Sequence, residues 1–204
     1  DYERFMERGC AFLRLPPPGT LAEALASLMI FYSHVPSVTH YPVYIGRIDR
    51  MLEPFVREVP RDEARGMLRL FLTALDRTVS DSFCHANIGP EATVTGELVV
   101  ELLPELQNAV PNLTLLYDPA VTPDEFAVKC VSSALKCANP AFAHDPYYRS
   151  RIGERYGIAS CYNGLYVGGG AYSLSRMRLC RIAERCRSLD DDRGGVARDL
   201  ALHL

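Results

Sequence analysis

Cysteine pairs at metal or redox spacing are missing from this 204-residue chain, although it has seven cysteines, at positions 10, 84, 130, 137, 161, 180 and 186. Cys130/Cys137 and Cys180/Cys186 are separated by six and five residues inside expected helices. That spacing suits neither a zinc knuckle nor a dithiol pair, so no metal site is predicted. An odd, scattered set reads as reduced thiols in a cytoplasmic protein. A basic excess is missing too: 22 Lys and Arg face 25 Asp and Glu, for a net charge of −3 and a pI near 6.0. A nucleic-acid surface normally carries the opposite balance. No apolar run approaches the roughly 20 residues that span a bilayer, and no charged-apolar-cleavage pattern opens the chain, so no membrane association is expected. Neither Gly-x-x-x-x-Gly-Lys-Ser/Thr nor Gly-x-Gly-x-x-Gly occurs, which removes the nucleotide reading of Gly168-Gly169-Gly170. There is no internal repeat and no low-complexity tract.

What remains is a chain with 48% hydrophobic and 23% charged residues, enough for one real core and read as a single α/β domain over 1–204. Residues 188–204 read as a linker-like or truncated end. The start at Asp1-Tyr2-Glu3-Arg4-Phe5, without Met and as if inside a helix, suggests a fragment of a larger catalytic domain. Thr20 with Glu23 forms a capping box before an apolar-rich run to about His34. Asp62 is placed to cap a helix carrying Met67, Leu68, Phe71, Leu72 and Leu75. Thr122-Pro123-Asp124-Glu125 combines a cap, a first-turn proline and acidic residues, and Asp145-Pro146 opens a fourth helix expected to break near Gly157. Val43 to Ile45, Leu113 to Tyr117 and Ile158 to Ser160 read as buried strands, while Leu98 to Leu103 is too short a run for periodicity to decide. Alternation of helices with buried strands favours a parallel sheet.

The most informative segment runs from Gly157 to Arg178. Asn163-Gly164 is a turn dipeptide, and Gly168-Gly169-Gly170 permits close backbone approach. From Ala171 the pattern turns helical, with Leu174, Met177, Ile182 and Leu189 on one face. Cys161 therefore stands on a constructed loop, with three roles open to it. It could be a small buried hydrophobe. It could be a thiolate nucleophile, but the nearest cations in sequence, Arg155 and Arg176, lie outside the loop, which leaves a cysteine hydrolase poorly supported. Or it could carry hydrogen-atom chemistry as a thiyl radical, which needs no depressed pKa but does need a rigid, water-excluding loop.

Ser160-Cys161-Tyr162-Asn163-Gly164-Leu165, followed by Gly168-Gly169-Gly170-Ala171-Tyr172-Ser173-Leu174 and Arg176, resembles the cysteine loop and following helix of glycyl radical enzymes, the pyruvate formate-lyase-like superfamily, and within it the YjjI-type branch. His40 to Gly46, Cys84 to Gly89, Pro111 to Leu115 and Ala138 to Phe142 agree with it. The resemblance implies about half of a ten-stranded α/β barrel with flanking helices, and makes Cys161 the catalytic residue. Its loop would consist of Ser160, Tyr162, Gly164, Gly168, Gly169 and Gly170. It further implies that an activating enzyme using S-adenosylmethionine and an iron-sulfur cluster installs a glycyl radical on a residue outside this chain under anaerobic conditions. The full-length protein is then expected to be a homodimer acting on a small-molecule substrate.

Departures from the family pattern leave the reaction open. Pyruvate formate-lyase carries two adjacent cysteines, whereas Cys161 stands between Ser160 and Tyr162; the diol and choline branches place a glutamate where this chain has Asn163. An Arg-Val-x-Gly-Tyr/Phe segment does not occur, so these residues alone are expected to be inactive. The rival expectation is a truncated or degenerate relative that binds a metabolite or partner without turnover. Substrate-positioning candidates are His85, Asn87, Asn112, Asn139, His144 and Asn163. His85 is read in a turn-rich stretch after the long helix, where a surface role is the simpler alternative. His144-Asp145 is read most simply as a helix cap supplied by Asp145. Asn112 and Asn139 stand beside prolines at strand or loop ends.

Overall fold

A computed structural model describes residues 2–38, 42–77, 84–159 and 163–166. All of them belong to one compact unit, Asp1–Gly170. Cys161, Ser160, Tyr162, the Gly168 to Gly170 run, the helix expected from Ala171 and the 188–204 end lie outside the described residues. Thirteen elements follow one another there: α1 (Tyr2–Arg8), α2 (Leu21–Val38), β1 (Val43–Arg47), α3 (Ile48–Val56), α4 (Arg61–Arg77), β2 (Cys84–Ile88), α5 (Val94–Leu106), β3 (Asn112–Tyr117), α6 (Asp124–Cys137), β4 (Ala141–His144), α7 (Asp145–Ile152), β5 (Tyr156–Ala159) and β6 (Asn163–Tyr166).

The first four strands form one parallel sheet in the order β1-β2-β3-β4, and β5 and β6 form a separate antiparallel pair. An α/β architecture with a parallel sheet is therefore what the chain adopts. Strands added in sequence order, each joined by a crossover of the usual hand, collect their helices on a single face. Alternation along the strands records this. Val43, Ile45, Cys84, Ala86, Ile88, Leu113 and Leu115 enter one large core with Leu21, Leu28, Leu52, Leu68, Leu72, Leu102 and Phe126 from the helices. On the opposite face Leu116 and Ala143 join Tyr156 and Ile158 of β5 in a smaller cluster, packed by Tyr148 and Ile152 of α7. The hairpin occupies the face that α1 to α6 leave open, with α7 packed beside it.

Local chemistry explains most boundaries. Half of the capping box expected at α2 is formed: the Glu23 N–H donates to Thr20 Oγ1 at 3.3 Å, but the Glu23 carboxylate accepts at 2.8 Å from the Gly19 N–H, one residue before the cap. Thr93 caps α5 by accepting from the Gly96 N–H at 2.9 Å, and Glu53 of α3 accepts from the Val94 and Thr95 N–H groups at 3.1 and 2.8 Å. The undecided Leu98 to Leu103 run is thus the middle of a helix whose N-terminal donors are satisfied by two elements. Asp62 lies in the first turn of α4 rather than at its cap, and α7 ends at Ile152 with Gly153 at φ 102°, short of Gly157. Pro123 is the N-cap of α6, and Thr122 instead accepts from the Asp118 N–H. Outside the sheet, Arg61, Arg65 and Arg69 of α4 pair with Glu97, Glu101 and Glu105 of α5.

Candidate functional site

β2 reads Cys84-His85-Ala86-Asn87-Ile88 and is buried along its whole length. The turn expected around His85 is instead an inner strand, with Cys84, Ala86 and Ile88 toward the helices and His85 and Asn87 toward the hairpin. Parallel register sets Tyr44, His85 and Asn112 side by side, then Asn87 beside Thr114. Between Tyr44 and Arg47 the register of β1 shifts, with Gly46 at φ 93°. A bulge of this kind needs a residue without a Cβ and re-aims the side chain that follows. Here it turns the Arg47 side chain to the hairpin face.

Three successive residues of β5 are fixed there by three different contacts. The Tyr156 hydroxyl donates to the Asp145 carboxylate, which also pairs with Arg149 and lies 3.7 Å from Arg47. The Arg47 guanidinium lies 5.9 Å from the Tyr156 ring centroid. Gly157 crosses directly over Tyr44; a Cβ at that position would sit 2.4 Å from Tyr44 Cζ, so only glycine permits the crossing. Asn87, fully buried, spends its amide on Ile158: Nδ2 donates to the Ile158 carbonyl at 3.0 Å and Oδ1 accepts from the Ile158 N–H at 2.9 Å. The Tyr44 hydroxyl donates to the same Oδ1 at 2.9 Å. Burial pushes the Tyr44 phenol well above its ordinary range, so it remains a donor at any physiological pH.

β5 pairs with β6 from Tyr156↔Tyr166 to Ala159↔Asn163. Ser160, Cys161 and Tyr162 are the three residues that join the last pair. Asn163 opens β6 and is exposed, and Gly164 lies so close to Tyr148 that a Cβ would meet its Cδ1 at 2.5 Å. The turn expected of Asn163-Gly164 is therefore a paired strand segment, and both residues belong to the hairpin that carries the cysteine.

The remaining candidates separate. His85 is buried on the hairpin face, and burial pushes its imidazole below the ordinary value, favouring the neutral form. Asn112, half-buried, opens β3 beside it. Thr114 Oγ1 is buried with no hydrogen-bond partner among the described residues. Asn139 is committed to main chain, accepting from the Leu113 N–H and donating to the Pro111 carbonyl, each at 3.0 Å. His144 is exposed and shares register with Tyr117, which packs toward the helices; its Nδ1 accepts from the Tyr147 N–H at 3.2 Å as the N-cap of α7. The cap expected of Asp145 thus belongs to His144, and Asp145 is the buried anchor of Tyr156. No cluster of His, Cys, Asp or Glu fit to hold a metal occurs among the described residues. No described helix is long and apolar enough to cross a membrane.

A parallel α/β sheet that holds a short cysteine-bearing hairpin on the face opposite α1 to α6 is the class of site defined here. The model of the YjjI-like glycyl radical enzymes matches residues 1–197, and the chain belongs to that family. An uncharacterized protein of Haemophilus influenzae is 50% identical over 191 residues, and the uncharacterized protein YjjI of Escherichia coli is 42% identical over 192. Each match covers 94% of this chain, which spans 37% of the length of these curated relatives.

Proposed function

We propose that this chain is the thiyl-bearing part of a glycyl radical enzyme acting on a small polar substrate by hydrogen-atom abstraction, with Cys161 as the catalytic residue. The observation that carries this reading is the hairpin. Its strand β5 is locked residue by residue to the open face of the sheet, and the cysteine is the middle of the three residues that close it. A thiyl mechanism asks for a fixed sulfur in a dry setting, whereas a thiolate nucleophile asks for a nearby base or cation at the thiol. In this reading the four-stranded sheet is part of a ten-stranded barrel. The family's glycyl radical, installed by an activating enzyme with S-adenosylmethionine and an iron-sulfur cluster, supplies the unpaired electron.

What this chain contributes is placement and one hydrogen atom. The Cys161 S–H bond breaks homolytically, its hydrogen passing to the radical centre. The sulfur then takes a hydrogen atom from a substrate carbon, re-forming S–H, and returns one to the product radical, so atoms and electrons balance over the cycle. His85, neutral, and Asn112 lie in one row on the hairpin face and are suited to bind polar substrate groups. Asn87 and Asn139 have their amides committed to main chain, and His144 to its helix.

The test is anaerobic activation of the complete gene product, read by electron paramagnetic resonance in D2O. Reversible hydrogen transfer between a cysteine S–D and the glycyl carbon replaces the α-hydrogen by deuterium and collapses the radical's doublet. Wild type is expected to collapse, and Cys161→Ala to form the radical but keep the doublet. Collapse in Cys161→Ala at the wild-type rate, or no radical in wild type, overturns the reading.

A further inference from the structure

We infer that Asn87, seconded by Tyr44, is a positioning residue for the cysteine: its side-chain amide acts as a surrogate strand that holds β5 in register and thereby sets where residue 161 stands. β5 has β6 on one side, and among the described residues no further strand pairs with it on the other, where its peptide groups still require partners. Asn87 meets that requirement with the two-point geometry of a ladder, accepting from the Ile158 N–H and donating to the Ile158 carbonyl across 71 residues of sequence. The Tyr44 hydroxyl fixes which way the amide faces, because its proton needs the oxygen and the Ile158 carbonyl needs the nitrogen. The Tyr44 ring also forms the floor under Gly157, so sideways slip of β5 would drive main chain into the ring.

Register matters here more than in most hairpins. A one-residue slip of β5 exchanges its two faces, sending Ile158 and Tyr156 out of the small cluster and displacing the residues after Ala159 by a full strand step of roughly 3.3 Å. Hydrogen transfer to and from sulfur does not tolerate such a displacement, since reacting atoms must lie within about 3.5 Å. Asn87 is bonded to Ile158 through both polar atoms of its amide. It acts through Ile158, and the inference as it bears on catalysis rests on the proposed role of Cys161.

Two measurements test it. The first needs no radical: amide hydrogen exchange of the intact chain, wild type against Asn87→Ala and Tyr44→Phe. Removing two buried hydrogen bonds from one strand residue is expected to speed exchange over residues 156–166 by roughly 10-fold or more, with Tyr44→Phe smaller, and to leave β3 and α5 unchanged. Unchanged exchange over 156–166 in Asn87→Ala overturns the inference, and so does equal acceleration of every peptide, which would make Asn87 a general sheet residue. The second is the rate of doublet collapse in D2O in the activated complete protein. Asn87→Ala is expected to retain the radical yield of wild type and slow the collapse by roughly 10-fold or more, the same loss of anchoring read at sulfur. Collapse at the wild-type rate overturns the positioning role. Local acceleration of exchange together with Cys161-independent collapse would instead remove the proposed function and leave the anchoring of β5 standing.

Discussion

Gly157 and Asp49 are single residues whose surroundings predict opposite kinds of sensitivity. At Gly157 the sensitivity is steric: the Tyr44 ring leaves no room for a methyl group, with Cζ, Cε1 and the hydroxyl all within 2.8 Å of the Cβ position. Gly157→Ala should cost about 1–3 kcal/mol by overpacking, and Tyr44→Ala should restore most of that loss in the double variant. Chemical denaturation of the four-member cycle measures it; simple addition of the two single losses would mean that the strand relieves the clash elsewhere. At Asp49 the sensitivity is electrostatic. The carboxyl is fully buried, its Oδ2 accepts from the Gly89 N–H at 2.8 Å, and burial raises its pKa from 3.8 to about 6, although that hydrogen bond pulls the other way. Because the folded state holds the proton more tightly, Asp49's contribution to stability is fully present below pH 4 and is lost as pH rises through about 6. His85 runs in the reverse direction, since burial lowers its pKa below 6.5 and its contribution is lost as pH falls. Wild-type profiles mix the two, so the difference between wild type and Asp49→Asn isolates the carboxyl. The variant should gain on wild type by about 2–3 kcal/mol between pH 4 and pH 7, whatever constant offset the lost acceptor brings. A difference independent of pH would show that Asp49 ionises as an ordinary carboxylate.

At the scale of elements, β3 carries a polar atom whose burial is uncompensated by the described residues. Thr114 lies between Leu113 and Leu115 with its Oγ1 toward the hairpin face and no partner there, at a cost typical of an unsatisfied hydroxyl. Thr114→Val keeps the shape and β-branching and should stabilise by about 1 kcal/mol, read as a higher denaturation midpoint at unchanged slope. A loss of similar size would mean that the hydroxyl is hydrogen-bonded in solution. What the sequence discloses of these elements follows the range of the forces that make them. α2, α4 and α6 declare themselves through residues within one turn of their starts, and β1 and β3 through short, mostly apolar runs. β2 does not, because a strand reading Cys-His-Ala-Asn-Ile owes its polar positions to Tyr44 and Ile158, 43 and 71 residues away from Asn87. β4 is four residues long, too short for any period to be read, and α5 is apolar on nearly every side because it is buried by α3, α4 and α6 together. Asn163-Gly164 is a further case: the dipeptide reads as a turn, yet both residues lie in β6, paired with Ala159 and Ile158, with Gly164 packed against Tyr148. Asp145 illustrates the limit. Beside a proline at a helix start it reads as a cap, and only the fold brings Arg47 and Tyr156 to it.

For the molecule as a whole, the decisive property is the unequal covering of the sheet. Among the described residues the helix face buries seven strand residues with side chains from α1 to α6, whereas the hairpin face rests on a cluster of four buried residues and a set of polar anchors. Unequal faces imply unequal opening: the hairpin can loosen at a cost well below that of global unfolding, because its release leaves the larger core intact. Cysteines already in the chain report on the two events. Cys84 and Cys130 are completely buried on the helix side, and burial pushes both thiols up to about 12, so neither presents a thiolate until that core opens. In Asn87→Ala, alkylation of Cys84 and Cys130 should therefore stay as slow as in wild type while exchange over residues 156–166 accelerates. In Leu68→Ala, which leaves a cavity in the larger core, both thiols should become reactive as about 3 kcal/mol of global stability is lost. Mass-spectrometric mapping of modified cysteines against time separates the cases. Joint exposure of Cys84 and the hairpin in Asn87→Ala would mean that the two faces open as one cooperative unit, and a sulfur held by such a unit could not be repositioned without unfolding the sheet beneath it.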